Sequence, residues 1–564
     1  MNQWSSARSL LLLTAATLLC LLPLSGKAFN VDDPLFVWSA QQIAKHPLDP
    51  YGFQIIWYRT LTPMSDITMN PPLASYYAAA IGAIAGWSER ALHLGFLLPT
   101  LAMVLGTYRL AQRFTQSPLV AAAATLLTPG VLVSASNVMC DVMMLALWIW
   151  AVILWLEGLE FGEQRYWLAS SLLIAAAALT KYFGICLVPL LGVYSIVRQR
   201  RLGAWAWAWY LVLPLALLAG YQLWTSALYG HGMLSSAFLY APQRVSEGRI
   251  SLLLYPVASA SFIGGCTLSA LALAPLVWPR KYILVTLLVE AAAFAAAWLA
   301  FGSHLRATHT GTALQQHGAT VGPELILFIA GGVSVLALAA LDLWRHRDPD
   351  SLLLALWVWG TFIFTAFLNW TINARSILPL IPAGGILLAR RLETLEIATK
   401  KSLQWKVAIV LVISGAVSFW VAKADADWAN SARQGARLIA ERTSNETGTV
   451  WFQGHWGFQY YMQQLGMHPF DYRWSTLHPG DVLIIPRGDF NIQAPPAQLV
   501  TSEQLLEIPL PQPVTTMCAA MEAGFYGSFY GVLPFAFGRV PPEPFHVFRI
   551  AGAIPPARWL HPQP

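Results

Sequence analysis

Apolar runs near the length of a bilayer crossing recur along this chain from residue 9 to residue 422. A spanning helix needs about 20 mostly apolar residues. In the hydrocarbon core each backbone N–H and C=O must find its partner within the segment. The repetition therefore predicts a polytopic α-helical membrane protein. Candidate spans fall at 9–25, 91–112, 118–135, 138–156, 166–180, 183–197, 205–228, 254–278, 282–301, 325–344, 351–370, 376–389 and 406–422, about thirteen by the length criterion. Of 564 residues, 56% are hydrophobic and only 11% charged, and mean hydropathy is +0.53. A soluble domain would carry about 25% charged residues. The 25 tryptophans suit a chain with many membrane interfaces.

The first run, "ARSLLLLTAATLLCLLPLSGKAF", has the positive start of a signal peptide, with cleavage then near Ala28. The spans that follow favour its retention as an anchor. The formal net charge of +6 implies no nucleic-acid partner, because basic residues of such proteins mainly set orientation. Arg109/Arg113, Arg198/Arg200/Arg201, Arg280/Lys281, Arg345/Arg347 and Arg390/Arg391/Lys400/Lys401 lie in short connections, and the positive-inside rule puts them in the cytoplasm. Loops 26–90, 229–253, 302–324 and 371–375 are then outside. The acidic connection "EGLEFGEQR", residues 157–165, fits this less well. Segment 71–87, "PPLASYYAAAIGAIAGW", is apolar, but a crossing there would invert every later loop. It reads instead as a helix lying in the interface.

Composition changes after residue 423. "DWANSARQGARLIAERT" has amphipathic helical spacing. The runs "GTVWFQG" and "GDVLIIP" read as strands between turns. The chain thus divides into a membrane domain, 1–423, with an outer loop 26–90, and a small extracytoplasmic α/β domain, 424–564. The aromatic tail "FYGSFYGVLPFAFG" has no clear period. It packs on that domain or meets lipid.

Chemistry-bearing residues gather in the outer loops. "FNVDDPLFVW" places Asp32 and Asp33 directly after the first span. One Asp can cap the helix that begins near Pro34. The other is free to act as a general base. Asp141 opens a long apolar span, where an ionisable residue faces protein or water rather than lipid; capping that helix is the simpler reading. Lys181, in "LTKYFG", is a cation on the outer side and either snorkels to headgroups or meets an anion. Arg375, Arg306 and Arg59 are further outer cations. Together such groups could neutralise a phosphate, Arg by planar bidentate bonds and Lys as a point charge. Asn70 precedes the prolines of "MNPPLASYY". No Walker A, GxGxxG or HExxH pattern occurs. The five cysteines, Cys20, Cys140, Cys186, Cys266 and Cys518, lack metal or disulfide spacing. "ADADW", residues 424–428, resembles a DxD metal signature, but its predicted place outside the last span argues against one. No metal site is assigned, and a divalent cation on the outer carboxylates stays open.

The order of these motifs resembles the GT-C glycosyltransferases. They comprise the acidic pair after the first span, the "PPL" helix start, the Asp opening a later span, "LTKYFG", and R-x-x-L-P-L-x-P beginning at Arg375. The branch it resembles is that of lipid A aminoarabinose transferase and protein O-mannosyltransferase, over roughly residues 8–423. The resemblance implies transfer of a sugar from a polyprenyl-phosphate donor to a lipid, protein or cell-envelope acceptor at the outer face of a bacterial-type plasma (inner) membrane. It implies inversion at the anomeric carbon. By position in the family pattern, Asp32 is the base and Asp33 stands where many relatives have Glu. Asp141 or Asn70 supplies a second acid or acceptor contact. Asn70 departs from the His or Lys common in relatives, which points to a different sugar or acceptor. Lys181, Arg375, Arg306 and Arg59 are the phosphate-binding candidates. A transporter or flippase of a lipid-linked sugar would need the same outer cations, but also polar groups at mid-membrane and repeat-like broken helices.

Overall fold

The computed structural model describes residues 3–199, 205–246, 255–292, 309–556 and 559. Among these, seven helices are long and apolar enough to cross a membrane: Ser6–Leu24, Glu89–Phe114, Cys140–Phe161, Ala206–Tyr229, Thr320–His346, Pro349–Leu368 and Gln404–Thr443. Two further spans are broken. Pro118–Leu126 and Pro129–Ala135 meet at 62°, and Tyr255–Cys266 and Leu268–Val277 at 86°. Counting each bent pair as one gives up to nine. Proline explains the first bend. Pro129 stands in the first turn of its helix, and Thr128 caps that turn by accepting from the Val131 amide.

The expectation of about thirteen spans is not met by this criterion for identifiable reasons. Gln164–Thr180 and Tyr182–Arg198 have only 17 residues each, and residues 293–301 of one expected span lie outside the described part. Small residues bring other helices into contact. A Cβ on Gly264 would lie 1.8 Å from the Phe328 carbonyl oxygen, and one on Gly332 would lie 2.0 Å from that of Ala260. Tyr255–Cys266 and His309–His346 thus pack backbone to backbone, as small residues allow in membranes.

At one end of the bundle, basic helix ends meet acids. Arg109 pairs with Glu157 at 3.1 Å, Arg113 with Glu160 at 2.8 Å, and Arg390 with Asp342 at 3.2 Å. The acidic connection 157–165 is therefore the counter-charge of Arg109 and Arg113.

Helix Leu73–Ala85 has 13 residues, about 20 Å at 1.5 Å per residue. That is short of the ~30 Å hydrocarbon core. Its Ala78 and Ala79 pack in one cluster with Val37 and Ala40 of helix Asp33–Lys45.

Helix Gln404–Thr443 runs unbroken for 40 residues. The apolar span and the amphipathic helix read separately from the sequence are thus one rod. Beyond it lies a five-stranded mixed sheet in the order His468–Pro469, Val450–Phe452, Val482–Pro486, Glu543–Ile550, Val500–Ile508. Val450–Phe452 is parallel to both its neighbours, and Glu543–Ile550 is antiparallel to both of its own. The run "VLIIP" is buried along its whole length, as a continuous apolar strand with both faces covered requires.

Phe452, Ile484 and Phe545 of the sheet share a core with Val37, Ala78 and Phe96. The helices of residues 26–90 and the C-terminal sheet therefore sit together at one end of the bundle. The aromatic tail settles onto the membrane helices: Phe535 packs 5.0 Å from Phe328, and Phe537 lies 5.6 Å from Trp420.

Candidate active site

A tight turn at Asn30 and Val31 leads into the acidic pair, the Asp33 amide donating to the Asn30 carbonyl. Val31 has φ +46°, an uncommon conformation for a β-branched residue. Asp33 closes this turn. Its Oδ2 accepts from the Asn30 amide at 2.8 Å, and its Oδ1 accepts from the Val138 amide at 2.8 Å. Asp33 is wholly buried and ties the loop after the first span to the segment that leads into helix Cys140–Phe161. Burial pushes its carboxyl up to about 7, against the opposing pull of Lys27 and the two amide bonds.

Asp32 is left facing the other way. It occupies the N-cap position of helix Asp33–Lys45, yet its side chain makes no cap bond. Instead Asp32 Oδ2 accepts from Arg375 Nη1 at 2.8 Å, with a quarter of its side chain exposed.

Arg375 is held by a docked loop. Asn373 caps the short helix Ala374–Ile377 by accepting from the Ser376 amide. The Ala374 amide donates to the Phe525 carbonyl, and the Ser528 amide donates to that of Ile372. The guanidinium lies over the Tyr526 ring, 5.7 Å from its centroid. Asp32 and Asp141 together hold it charged, raising its pKa further despite burial.

Asp141 sits in the first turn of helix Cys140–Phe161. Its Oδ1 accepts from Lys181 Nζ at 2.6 Å. Lys181 stands where helix Gln164–Thr180 ends and the next begins. Between the two ion pairs lies Cys140, whose Sγ is 3.7 Å from Asn70 Oδ1. Asp141 Oδ2 and Arg375 Nε are buried with no hydrogen-bond partner among the described residues. Two carboxylates and two cations thus share one site, and one acceptor and one donor stay open in it.

The structure brings Asp32, Asn70, Asp141, Lys181 and Arg375 together. Arg59 departs from the expected phosphate set. Its guanidinium lies 5.4 Å over the Tyr472 ring beside the C-terminal sheet, and its carbonyl accepts from the Tyr472 amide. It stitches loop to domain. Arg306 lies outside the described residues. Among those described, no cluster of three or more His, Cys, Asp or Glu is placed to hold a metal.

Sequence reasoning missed a buried polar knot beneath the site. Lys27 Nζ lies 2.5 Å from Asp425 Oδ2, with both side chains fully buried. It also donates to Asn137 Oδ1 at 2.5 Å. Asp425 accepts from Thr516 Oγ1 at 2.6 Å and from the Tyr526 hydroxyl at 2.9 Å. The acids of "ADADW" are therefore engaged by protein groups: Asp425 in this knot, Asp427 by Lys423 and Gln512. The one available signal was a lone Lys directly after an apolar run.

Residues 69–224 match the dolichyl-phosphate-mannose-protein mannosyltransferase family. This match bears out the GT-C resemblance read from the motifs. The matched segment carries Asn70, Asp141 and Lys181, whereas Asp32 and Arg375 lie outside it. No curated protein matches the chain. Among solved structures, the apo oligosaccharyltransferase of Archaeoglobus fulgidus aligns with TM-score 0.48 and 11% identity, over 83% of this chain. The chain spans 64% of the length of that protein. ArnT from Cupriavidus metallidurans bound to undecaprenyl phosphate aligns with TM-score 0.42 and 13% identity, over 86% of this chain and 94% of its own.

Proposed function

We propose that the chain is an integral membrane glycosyltransferase of the GT-C type, which moves a sugar from a polyprenyl-phosphate donor to a lipid, protein or envelope-glycan acceptor. The observation that carries this reading is the paired arrangement Asp32–Arg375 and Asp141–Lys181 at one end of the bundle. It joins a part-exposed carboxylate to two cations on a frame of apolar helices. A polyprenyl phosphate has the matching form, a charged head on a long apolar tail. An apolar groove of about 350 Å³ runs between helices Leu73–Ala85, Glu89–Phe114 and Cys140–Phe161, lined among others by Tyr77, Leu98, Met143 and Trp150. It offers the tail a wall on the helix that carries Asp141.

The chemistry follows from the charges. A donor phosphate competes with the carboxylates for Arg375 and Lys181. Asp32, released from its partner, gains basicity and takes the proton of the acceptor hydroxyl. The acceptor oxygen attacks the anomeric carbon from the face opposite the phosphate. The bond between that carbon and the phosphate oxygen breaks, and its electron pair leaves with the phosphate. Arg375 and Lys181 stabilise the growing negative charge. A single displacement of this kind inverts the anomeric centre.

We place the site and residues 424–564 on the extracytoplasmic side of a bacterial-type plasma membrane. The ends carrying Arg109, Arg113 and Arg390 are then cytoplasmic, in keeping with the positive-inside rule. The charged groups named above gather at helix ends rather than at mid-membrane, which favours surface chemistry over passage of a lipid-linked sugar.

Deleting the gene should remove one sugar from an envelope lipid, glycan or protein. The wild-type chain should restore it, and an Asp32→Asn chain should not. An unchanged glycan profile after deletion overturns the reading. A C-terminal reporter active only outside the cytoplasm tests the sidedness.

A further inference from the structure

His455 and Asp489 form a buried pair that the proposed transfer does not use. Their side chains are 1% and 4% exposed, and His455 Nδ1 lies 2.5 Å from Asp489 Oδ1. Asp489 also accepts from the amides of His455 and Phe490, which fixes its orientation. A carboxylate only accepts hydrogen bonds. A neutral imidazole held in this way carries its proton on Nδ1 and presents its lone pair at Nε2. That Nε2 is buried and has no hydrogen-bond partner among the described residues. It is enclosed by rings: Phe490 at 4.4 Å, Trp456 at 4.7 Å, Trp57 at 5.1 Å and Tyr58 at 6.2 Å between centroids.

A second, independent feature marks the same corner. Trp456 has φ +60°, a strained conformation for so bulky a side chain. Strain of this kind persists where the surrounding structure enforces it, and it clusters at ligand sites.

The rings continue towards the charged site. Trp456 contacts Trp428 at 6.2 Å, Trp428 stacks on Tyr526 at 6.4 Å, and Arg375 lies over Tyr526. The side chain of Trp428 also hydrogen-bonds Glu543, whose carboxyl is pushed up to about 7 by burial and by the Asp489 charge. The Asp489 carboxylate at the imidazole disfavours an anion. What suits the corner is a neutral ligand with an apolar face and a hydroxyl donor. A pyranose ring has both.

We propose that the His455–Trp456 corner is a subsite for a pyranose of the acceptor. Its C–H face rests on Trp456 and Phe490, and one of its hydroxyls donates to His455 Nε2. The half-buried Trp456 and Phe490 swing aside to admit it. The donor's own sugar is bonded directly to the phosphate at Arg375 and Lys181. The corner lies beyond the Tyr526 and Trp428 rings, which assigns it to the acceptor. This inference rests on the transferase reading for the word acceptor, but its binding is measured without transfer.

The test is saturation-transfer NMR on the detergent-solubilised full chain, with the methyl pyranosides of mannose, glucose and galactose as probes. The wild-type chain should saturate the ring protons of at least one probe. His455→Phe and Trp456→Gly should each weaken that binding about tenfold, in line with one lost hydrogen bond or ring contact. Glycine adopts φ +60° without strain, so Trp456→Gly removes the ring and keeps the turn. It decides the question alone if His455→Phe fails to fold. Asp32→Asn, which blocks the proposed transfer, should bind the probe as the wild type does. No saturation in the wild-type chain, or full saturation in both ring variants, overturns the subsite whatever the glycan profile shows. Saturation without any transfer leaves the subsite standing and removes the transferase reading.

Discussion

Arg375 Nη1 meets Asp32 Oδ2 at 2.8 Å, across 343 residues of chain. One partner follows the first span, and the other precedes one of the last helices. The contact closes the candidate site and gives the two adjacent aspartates different work.

Replacing Asp32 with Asn should lower the rate of sugar transfer by about 10²–10⁴-fold, the usual contribution of a general base. The thermal midpoint in detergent should fall less than in Asp33→Asn, because Asp32 caps no helix and is part exposed, and an Asn oxygen can still accept from Arg375. Asp33→Asn should act the opposite way. An amide there sets an NH₂ group against the Asn30 or Val138 amide and lowers the midpoint. Equal rates for wild type and Asp32→Asn would remove Asp32 as the base.

Asp33 also predicts a pH dependence. Its folded carboxyl titrates at about 7, against 3.8 for the ordinary group. Between these values the folded chain binds the extra proton, so stability falls as pH rises. Asp33's contribution is fullest below about pH 4, is lost on the way to about pH 7, and is flat beyond. Thermal midpoints taken across this range should slope downwards, and Asp33→Asn should flatten the slope.

Lys181→Ala and Arg375→Ala should each weaken donor binding. Arg375→Lys should restore part of it, because Lys keeps the charge and loses the planar fork. Lys181→Met with Asp141→Asn should fold better than Lys181→Ala, since no buried charge is left alone. It should still bind donor poorly. Titration with a polyprenyl phosphate reads both effects, and unchanged affinity in either Ala variant would exclude that cation from the phosphate site.

Lys27→Met should destabilise the chain by about 3–5 kcal/mol, because it strands a buried Asp425 charge. Adding Asp425→Leu should recover a large part of that loss. Thermal denaturation of the single and double variants checks the pair. A single variant as stable as the wild type would mean that Asp425 finds another partner.

The sequence by itself determined the class of this protein and the identity of most groups at its site. Apolar runs can be satisfied in lipid only as helices, so a membrane bundle was legible from "SLLLLTAATLLCLLPL" onwards. Asp32, Asp141, Lys181 and Arg375 were legible because charge is rare in such a chain and each sits at the edge of a run. Strands "VWF" and "VLIIP" were legible as short apolar segments between turns.

Only the tertiary structure decided what each charge does. Asp32 and Asp33 are alike in type and position; the turn at Val31 buries one and turns the other towards Arg375. Arg59 looked like Arg375 until its ring partner, Tyr472, was in place. Lys27 with Asp425 and His455 with Asp489 pair over long separations, and no local pattern encodes such a pair. The physical reason is common to all of them. Burial and electrostatic partnership are properties of a residue's surroundings in space, and distant segments of the folded chain supply those surroundings.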